Sequence, residues 1–275
     1  MGAWLTACVS LQDRRETASA IAQDGNFALF QLEAGKFRLQ TYYRGQDLQG
    51  GTLAVYIEGD GQAWKQKNVL SDDPTPVDPV ALKLAVQDPS VAVLYIARPC
   101  QYLGAEELKN CPPQYWSTHR YAEEVIAAIN AAVDWGVNQS GAVGVSLYGY
   151  SGGGAVAALV AARRQDVVSL ITIAANLDHV SWTRLQGISP LSGSLNPADM
   201  SDELKDIPQV HFAGSDDRIV PVSVLESYRE HFTDKTRITL KVIPGFDHHC
   251  CWTESWPDLL LKASQEFAEG SLQHK

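Results

Sequence analysis

The feature that most constrains the fold of this chain is a repeated alternation between short apolar runs and segments of helical periodicity. The runs are nearly continuous, which is typical of strands that are buried on both faces of a parallel sheet. They lie at 53–57, 91–96, 143–148, 168–173, 210–213 and 238–243. Helices are predicted between them, at 121–135, 153–164, 222–232 and 255–268. This alternation predicts a three-layer α/β domain with right-handed crossovers.

Two segments outside the alternation complete the predicted architecture. Residues 27–32 and 37–43 partly alternate around a short glycine turn, which predicts an antiparallel hairpin ahead of the parallel strands. The long connection 179–209 is rich in serine and proline, and we expect it to form a small cap or an active-site loop. A chain of 275 residues fits one domain over 25–275. The preceding polar segment, 9–24, is interpreted as a linker or a short surface helix.

Charge and hydropathy exclude two classes of function. The chain has 22 lysines and arginines against 32 acidic residues, a net charge of −10, without a basic block. Such a surface repels a phosphate backbone, so we expect no nucleic-acid partner. The sequence contains no run of eighteen apolar residues, so we expect no membrane-spanning helix, and contact with a membrane would require an anchor.

The first eight residues suggest such an anchor. They end in Leu5-Thr6-Ala7-Cys8, which resembles the lipobox of bacterial lipoproteins at the end of a truncated signal segment. In this interpretation Cys8 carries a diacylglycerol, and the protein faces the periplasm or the exterior from a bacterial envelope. Gly2 with Thr6 also fits the N-myristoylation pattern, and an unstructured tail on a cytoplasmic protein is a third alternative.

The cysteine count agrees with export. There are five cysteines, and lipidation of Cys8 would account for the odd one. Cys100 and Cys111 flank a short loop, and a disulfide between them would contribute about 3 kcal/mol by restricting the unfolded chain. Cys250 and Cys251 form a vicinal disulfide, pair elsewhere or stay reduced, and the sequence does not choose among these states.

The segment Tyr148–Gly154 contains the motif most relevant to chemistry. It reads Gly-x-Ser-x-Gly around Ser151, at the point where an apolar run meets an alanine-rich helical segment. A sharp strand-to-helix turn with small neighbours exposes a serine hydroxyl for nucleophilic attack. The alternative is a glycine-rich loop that binds phosphate, but the glycine spacing matches neither a dinucleotide nor a Walker pattern. We therefore predict that Ser151 is a nucleophile.

A nucleophilic serine needs a base, and the base needs an acid that orients it. Two later loops supply both residue types. The loop 214–221 follows the run at 210–213 and contains Asp216 and Asp217. The second loop, 245–249, follows the run at 238–243 and contains two histidines. Because the carboxyl ends of parallel strands share one edge of a sheet, we expect these loops to meet Ser151 there.

From about residue 27 to residue 268 the chain resembles the α/β-hydrolase family. The resemblance is carried, in chain order, by Gly149-x-Ser151-x-Gly153, by Gly214-x-x-Asp217-x-x-Val220-Pro221 and by Gly245-x-x-His248. It implies the three-layer α/β-hydrolase fold with a mostly parallel sheet. It also implies a triad in which Ser151 is the nucleophile, Asp217 the acid and His248 the general base.

Alternatives to these assignments lie close by in the sequence. His249 is the alternative base, and Asp178, after the run at 168–173, is the alternative acid. Asp216 is expected to be solvated or to cap a turn. Asp217 itself also fits a second role, as a cap of the helix that follows Pro221.

The resemblance further implies two backbone donors for a developing oxyanion. They map onto the N–H of Gly152, directly after the nucleophile, and onto the N–H of Asp60, with Gly61 as the alternative to Asp60. The chain departs from the family at Glu58, where a His-Gly pair is common. Trp64 is expected to line the pocket or to belong to the core.

The cluster 247–251 contains an aspartate, two histidines and two cysteines, which are common zinc ligands. Adjacent residues cannot all face one tetrahedral ion, so we expect no metal there. The favoured hypothesis is a vicinal disulfide between Cys250 and Cys251 that stiffens the adjacent loop 245–249, called the histidine loop below.

These motifs together predict a serine hydrolase that needs no cofactor and acts on a small-molecule substrate, most simply a carboxylic ester. Trp182, Leu185, Ile188 and Leu191 of the cap would shape an apolar pocket. Amide or thioester hydrolysis uses the same machinery, and a non-catalytic envelope protein that binds a ligand on this scaffold is a further alternative. A cofactor-free haloperoxidase or a dehalogenase fits less well, since a dehalogenase needs an aspartate at position 151. The oligomeric state is left open.

Overall fold

A twisted central sheet organises the molecule. The computed structural model describes residues 10–66 and 69–273. In chain order the strands of these residues are β1 (Ala28–Ala34), β2 (Phe37–Arg44), β3 (Thr52–Ile57), β4 (Trp64–Gln66), β5 (Val69–Leu70), β6 (Val93–Ile96), β7 (Gly144–Tyr150), β8 (Val167–Ile173), β9 (Gln209–Gly214) and β10 (Ile238–Ile243). Within the described residues, eight strands form the main sheet, in the order β1-β2-β6-β3-β7-β8-β9-β10. The pair β4–β5 forms a small separate hairpin.

Every pairing from β6 to β10 is parallel. The strand β2 is antiparallel both to β6 and to β1, so the predicted N-terminal hairpin is confirmed. The chain reverses between β1 and β2 at Gly35, whose φ of 59° is the left-handed conformation that glycine adopts without strain. The carboxyl ends of the parallel strands consequently lie at one edge of the sheet, where the site described below is located.

Helices cover both faces of the sheet. In chain order they are α1 (Leu11–Asp24), α2 (Val80–Val86), α3 (Ala105–Leu108), α4 (Glu123–Ser140), α5 (Gly152–Ala161), α6 (His179–Gln186), α7 (Ser201–Leu204), α8 (Val222–Glu230) and α9 (Trp252–Gln273). One core cluster joins the sheet to α4, α5 and α8, and the other joins it to α1, α2 and α9. The predicted three-layer architecture is thus confirmed.

The strand β3 shows why its sequence run is apolar throughout. Leu53, Val55 and Ile57 belong to one core cluster, whereas Ala54 and Tyr56 belong to the other. Side chains of a strand alternate between the two faces, so a strand covered by helices on both sides has no position for a polar residue. The same geometry explains the other apolar runs in the middle of the sheet.

The segment before the hairpin is the helix α1 rather than a linker. Ser10 and Asp13 form a capping box, in which Ser10 Oγ accepts from the Asp13 N–H at 3.1 Å and Asp13 Oδ2 accepts from the Ser10 N–H at 2.8 Å. Ala18 and Ala22 are buried in the cluster that contains α2. The narrow alanine stripe explains why this helix has so weak an apolar period in the sequence.

The structure includes other elements that the periodicity did not predict. They are the hairpin β4–β5 and the short helices α2, α3 and α7. The predicted cap over 179–209 contains α6, the 3₁₀ turn Pro197–Met200 and α7. Residues 1–8, with the predicted lipidation site Cys8, lie outside the described residues. Within the described part of the chain no helix is long and apolar enough to cross a membrane.

Candidate active site

Ser151 occupies a sharp turn between β7 and α5. Its backbone has φ 53° and ψ −123°, an unusual conformation for a residue with a side chain. A Cβ atom on Gly149 would lie 2.4 Å from the carbonyl oxygen of Gly153, and one on Gly153 would lie 2.3 Å from that of Ile57. Neither position therefore accepts a side chain, which is the physical basis of the Gly-x-Ser-x-Gly pattern.

The structure brings Ser151, His248 and Asp217 together, although they are far apart in the chain. Ser151 Oγ lies 2.9 Å from His248 Nε2, and His248 Nδ1 lies 2.8 Å from Asp217 Oδ2. The imidazole and the carboxylate are buried, whereas Ser151 is partly accessible. A hydroxyl, an imidazole and a carboxylate in this sequence of contacts form the arrangement that activates a serine for attack.

Asp217 is held by its own loop. Its Oδ1 accepts hydrogen bonds from the N–H groups of Ile219 and Val220, both at 2.8 Å, which leaves Oδ2 facing the imidazole. The turn therefore folds around the carboxylate just before α8, so Asp217 both orders this turn and contacts His248. A Cβ atom on Gly214 would lie 2.3 Å from the Phe246 carbonyl oxygen, so the loops 214–221 and 245–249 pack closely.

The His248 backbone is anchored from two sides. Its carbonyl oxygen accepts from Tyr150 Oη at 2.8 Å and from Trp252 Nε1 at 3.2 Å. On the other side, Asp247 Oδ1 accepts from the N–H groups of His249 and Cys250, at 2.8 and 2.7 Å. These backbone hydrogen bonds lower the pKa of Asp247. The loop that presents the imidazole is therefore tied to β7 and to α9.

The structure contains two disulfides within the residues that it describes. Cys100 and Cys111 are bonded with their Cα atoms 5.7 Å apart, which is the pairing that the sequence favours. Cys250 and Cys251 form a vicinal disulfide, so the structure contains one of the three states that the sequence left open. Among the described residues no group of three or more histidine, cysteine or acidic side chains is arranged to hold a metal ion.

The alternative residues have other partners. Asp178 caps α6 by accepting from the N–H groups of Val180 and Ser181, and it also accepts from the Ser227 hydroxyl at 2.6 Å. Asp216 is exposed and accepts from Ser215 Oγ at 3.0 Å. His249 is likewise exposed, and its ring packs edge-on against the ring of His248. None of these three side chains has a hydrogen bond to Ser151 or His248 among the described contacts.

The loop 58–61 after β3 packs directly against the turn at Ser151. A Cβ atom on Gly152 would lie 2.1 Å from Asp60 Oδ1, so the Asp60 carboxylate rests on the backbone of Gly152. The Gly152 N–H is the first of α5 and has no acceptor within that helix, as is general for the first turn. The two residues predicted to supply oxyanion donors are therefore neighbours in space.

Glu58, the first residue of this loop, holds its backbone through hydrogen bonds. It is buried, and its Oε1 accepts from the N–H groups of Gly59 at 2.8 Å and Ala81 at 3.3 Å, while Oε2 accepts from Tyr95 Oη at 3.1 Å. Burial raises the pKa of Glu58 to about 7, despite the opposing effect of these hydrogen bonds. Trp64 lies in β4 and is 45% exposed, so it does not belong to the core.

Two residues of this region have no motif in the sequence. Arg98 and Arg120 are buried, and both form ion pairs with Asp60. Arg98 follows β6 by two residues, so a charged side chain directly after a buried strand was the one signal that pointed to it. Arg120 lies between the 3₁₀ turn Pro113–Trp116 and α4, where nothing in the periodicity marks it.

The cap contacts the loop 214–221 and contains a cavity. Trp182 Nε1 donates to the Ile219 carbonyl oxygen at 2.7 Å, which ties α6 to the turn around Asp217. A cavity of about 550 Å³ is lined by α6 and by the segment 188–200, including Ile188 and Leu191. Of the four apolar residues expected to shape a pocket, these two line the cavity, Trp182 packs over Arg120 and Leu185 is exposed.

Comparison with known proteins identifies the fold. No protein-family model matches the chain, and no curated protein matches it in sequence. Est1E from Butyrivibrio proteoclasticus has a similar structure, with a TM-score of 0.59 and 15% identity over 86% of this chain and 99% of that one. A putative dienelactone hydrolase from Klebsiella pneumoniae has a TM-score of 0.60 and 16% identity, over 88% and 98%.

A third similar structure is XC6422 from Xanthomonas campestris, described as an a/b serine hydrolase without lid. Its TM-score is 0.56 at 16% identity, and the match covers 88% of this chain and 94% of that one. At these identities the three comparisons show a shared fold over nearly the whole length of both chains. A shared fold does not by itself specify an activity.

Proposed function

We propose that this chain, which has the α/β-hydrolase fold, is a serine hydrolase that acts by nucleophilic acyl transfer. The observation that carries the proposal is the pair of contacts from Ser151 Oγ to His248 Nε2 at 2.9 Å and from His248 Nδ1 to Asp217 Oδ2 at 2.8 Å. Binding alone does not require these three side chains to be aligned on three separate loops.

The proposed reaction has two halves. Ser151 Oγ attacks the carbonyl carbon while its proton passes to His248 Nε2, and the carbonyl oxygen becomes an oxyanion that accepts from the N–H groups of Gly152 and Asp60. The tetrahedral intermediate collapses, and the leaving group departs with the proton from His248. Water then attacks the acyl-enzyme and gives a proton to His248. When this second tetrahedral intermediate collapses, His248 returns the proton to Ser151 Oγ, and the carboxylic acid is released. Asp217 holds the imidazole in the required tautomer throughout.

The proposed substrate is a small carboxylic ester. Ser151 is partly accessible, and the cap next to the loop 214–221 has a cavity whose lining mixes apolar residues such as Ile188 and Leu191 with the charged Arg184 and Asp199. The apolar part of this lining would suit the uncharged acyl or alcohol group of an ester, although none of Ser151, Asp217 and His248 lines the cavity. Initial rates on chromogenic esters of increasing acyl length test this assignment. If the rates on all of these esters are negligible but matched thioesters or anilides are hydrolysed, the proposed substrate class is a thioester or an amide instead.

A fluorophosphonate probe tests the nucleophile. The probe is expected to label the wild-type protein and not Ser151→Ala. Ser146→Ala is the matched control, because Ser146 lies on the same strand and its hydroxyl accepts from Ser169 Oγ at 2.9 Å, away from the triad. Absence of labelling in folded wild-type protein would instead favour a non-catalytic binding protein.

We further propose that Cys8 carries a lipid anchor that places the protein on a bacterial envelope. The helix α1 begins shortly after this residue, and its first turns reach the loops at the carboxyl edge of the sheet. Arg14 Nη1 donates to the Thr75 carbonyl oxygen at 2.8 Å, and Arg15 donates to that of Tyr102. An anchor attached there would hold the catalytic edge near the membrane surface.

Mass spectrometry of the protein extracted from bacterial membranes tests this second proposal. A diacylglycerol adduct on Cys8 at the N-terminus of the mature chain is the expected result, together with release of Cys8→Ser into the soluble fraction. An unmodified Cys8 in a chain that retains its first residues would refute the anchor without affecting the hydrolase proposal.

A further inference from the structure

We propose that Arg98 and Arg120 are positioning residues of the oxyanion hole and act through the carboxylate of Asp60. The inference rests on the proposed serine hydrolase function, since it concerns the donors next to Ser151. It assigns a role to two buried arginines that belong to none of the sequence motifs.

The contacts of Asp60 are the first step. Arg98 Nη1 donates to Asp60 Oδ1 at 3.1 Å, and Arg120 Nη1 donates to Oδ2 at 2.6 Å, so each carboxylate oxygen has its own guanidinium. The side chains of Arg98 and Arg120 are 5% and 6% exposed, and that of Asp60 is 18% exposed. Pairs withdrawn from water to this extent are much less screened than surface ion pairs.

The guanidinium groups are themselves held in place. Arg98 Nη2 donates to the Arg120 carbonyl oxygen, and Arg120 Nε donates to that of Ser117 at 2.8 Å. The Arg98 guanidinium lies 5.5 Å from the ring centre of Tyr121, and that of Arg120 lies 5.9 Å from the ring of Trp182. Because packing and hydrogen bonds fix them, these groups are placed to act on Asp60 rather than to follow a substrate.

Charge explains why two arginines are needed. The Asp60 carboxylate lies against the backbone of Gly152, as shown by the 2.1 Å that would separate Asp60 Oδ1 from a Cβ atom there. A negative charge at this place opposes the negative charge that develops on the substrate oxygen. Two guanidinium groups against one carboxylate leave the cluster with a net positive charge, which favours the oxyanion. Burial raises the pKa of Asp60, but the charges of Arg120 and Arg98 outweigh this effect and lower it.

The backbone of the loop is held separately, through Gln101, which bridges the Arg98 backbone and Gly59. The Arg98 N–H donates to Gln101 Oε1, and Gln101 Nε2 donates to the Gly59 carbonyl oxygen, both at 3.0 Å. Together with the bond from the Gly59 N–H to Glu58, these contacts hold the peptide that precedes the Asp60 N–H. A preorganised donor costs no rearrangement when the oxyanion forms, so releasing the Asp60 carboxylate from its arginines should affect the transition state more than the bound substrate.

The test is a comparison of Arg120→Gln with a matched control, Arg164→Gln. The Arg164 side chain is also largely withdrawn from water, at 8% exposure, and pairs with Asp134 and Asp166, but it lies between α5 and β8 at the opposite edge of the sheet. Arg120→Gln is expected to lower kcat by about 10- to 100-fold with little change in KM, and to weaken inhibition by a boronic acid by a similar factor. Arg164→Gln is expected to lower the melting temperature and leave kcat unchanged.

A double variant isolates the charge effect. If Arg120 acts by compensating Asp60, then Asp60→Asn introduced into Arg120→Gln should restore part of the lost kcat, because the adverse carboxylate is gone. Arg120→Lys, which keeps the charge, should retain more kcat than Arg120→Gln. If Arg120→Gln does not fold, Arg98→Gln takes its place in the same comparison.

Three results would overturn the proposal. The first is a decrease in kcat for Arg120→Gln that is no larger than for Arg164→Gln. The second is an effect of Arg120→Gln on KM alone. The third is a further decrease in kcat when Asp60→Asn is added to Arg120→Gln. Fluorophosphonate labelling separates these results from failure of the proposed function. Labelling that persists at Ser151 in all variants leaves the hydrolase intact, whereas an unlabelled wild-type protein would remove the premise.

Discussion

Tyr150 Oη donates a hydrogen bond of 2.8 Å to the backbone carbonyl oxygen of His248. The residue directly before the proposed nucleophile therefore holds the residue proposed to be its base. Both groups are buried, and the rings of Tyr150 and His248 lie 5.6 Å apart, so the imidazole is positioned through its backbone as well as through Asp217. The carboxyl end of β7 thus positions Ser151 directly and His248 through the Tyr150 hydroxyl.

Tyr150→Phe is expected to lower kcat by about 3- to 10-fold, because one buried hydrogen bond contributes roughly 0.5–1.5 kcal/mol. Steady-state kinetics and thermal unfolding measure the effect. Tyr148→Phe is the matched control, since Tyr148 lies on the same strand and stacks on Tyr56, and no described contact of its hydroxyl reaches the histidine loop. Equal kinetics for the two variants would contradict a role of Tyr150 in holding His248.

Gly152→Ala is expected to reduce kcat by about 100-fold, as displacements of about 1 Å at a reacting centre do. The added methyl group would meet Asp60 Oδ1 at 2.1 Å, and Asp60 cannot move away because two arginines hold it. Gly51→Ala is the control, since its Cβ atom would lie 3.3 Å from Leu48 Cβ at the other end of β3. An active Gly152→Ala variant would show that the loop 58–61 yields easily, contrary to its contacts.

The buried Glu58 should make stability depend on pH. Its pKa is raised from 4.5 to about 7 in the folded state, so the folded protein holds a proton that the unfolded chain releases between these values. The contribution of Glu58 to stability is therefore fully present below about pH 4.5 and is lost as the pH rises through 7. The shift corresponds to as much as about 3 kcal/mol.

Glu58→Gln removes this titration while keeping an acceptor for the Gly59 and Ala81 N–H groups. The free energy of unfolding of the wild-type protein is expected to fall relative to that of the variant when the pH is raised from 5 to 8. Urea denaturation at the two pH values provides the measurement. A wild-type protein and a variant with the same pH dependence would show that Glu58 ionises normally.

The two disulfides are expected to differ in what they support. Cys100→Ala/Cys111→Ala should lower the free energy of unfolding by about 3 kcal/mol, since this bond closes a loop of the unfolded chain. Cys250→Ala/Cys251→Ala should have a smaller effect on stability, because adjacent residues close no such loop. It should instead lower kcat by loosening the loop that presents His248.

The free energy of unfolding, the melting temperature and kcat of both double variants test this difference between the two disulfides. The hypothesis that the vicinal disulfide stiffens the histidine loop fails if Cys250→Ala/Cys251→Ala leaves both kcat and the melting temperature unchanged. In that event the hydrogen bonds from Tyr150, Trp252 and Asp247 would suffice to hold the loop.

Much of the layered fold could be predicted from local patterns. The runs at 53–57 and 168–173 become the strands β3 and β8, because a strand covered on both faces needs apolar side chains on both. The helix α1 was harder to recognise, since only Ala18 and Ala22 are buried and small side chains give a weak period. Hydrophobic periodicity in a sequence therefore predicts a helix well only when the buried face of that helix contains many large apolar side chains.

The candidate site divides in the same way. Ser151, Asp217 and His248 follow strands in recognisable turns, so their residue types and their order along the chain pointed to the carboxyl edge of the sheet. The sequence by itself determined these elements and turns, because periodicity and turn chemistry are local properties.

Only the tertiary structure decided what surrounds them. The pairing of Asp60 with Arg98 and Arg120 joins residues that are 38 and 60 positions apart. The tertiary structure also decided the disulfide between Cys250 and Cys251 and the hydrogen bond from Tyr150 to His248. Such contacts depend on how packed layers bring distant loops to one edge of the sheet, and no local period or turn signal encodes that geometry.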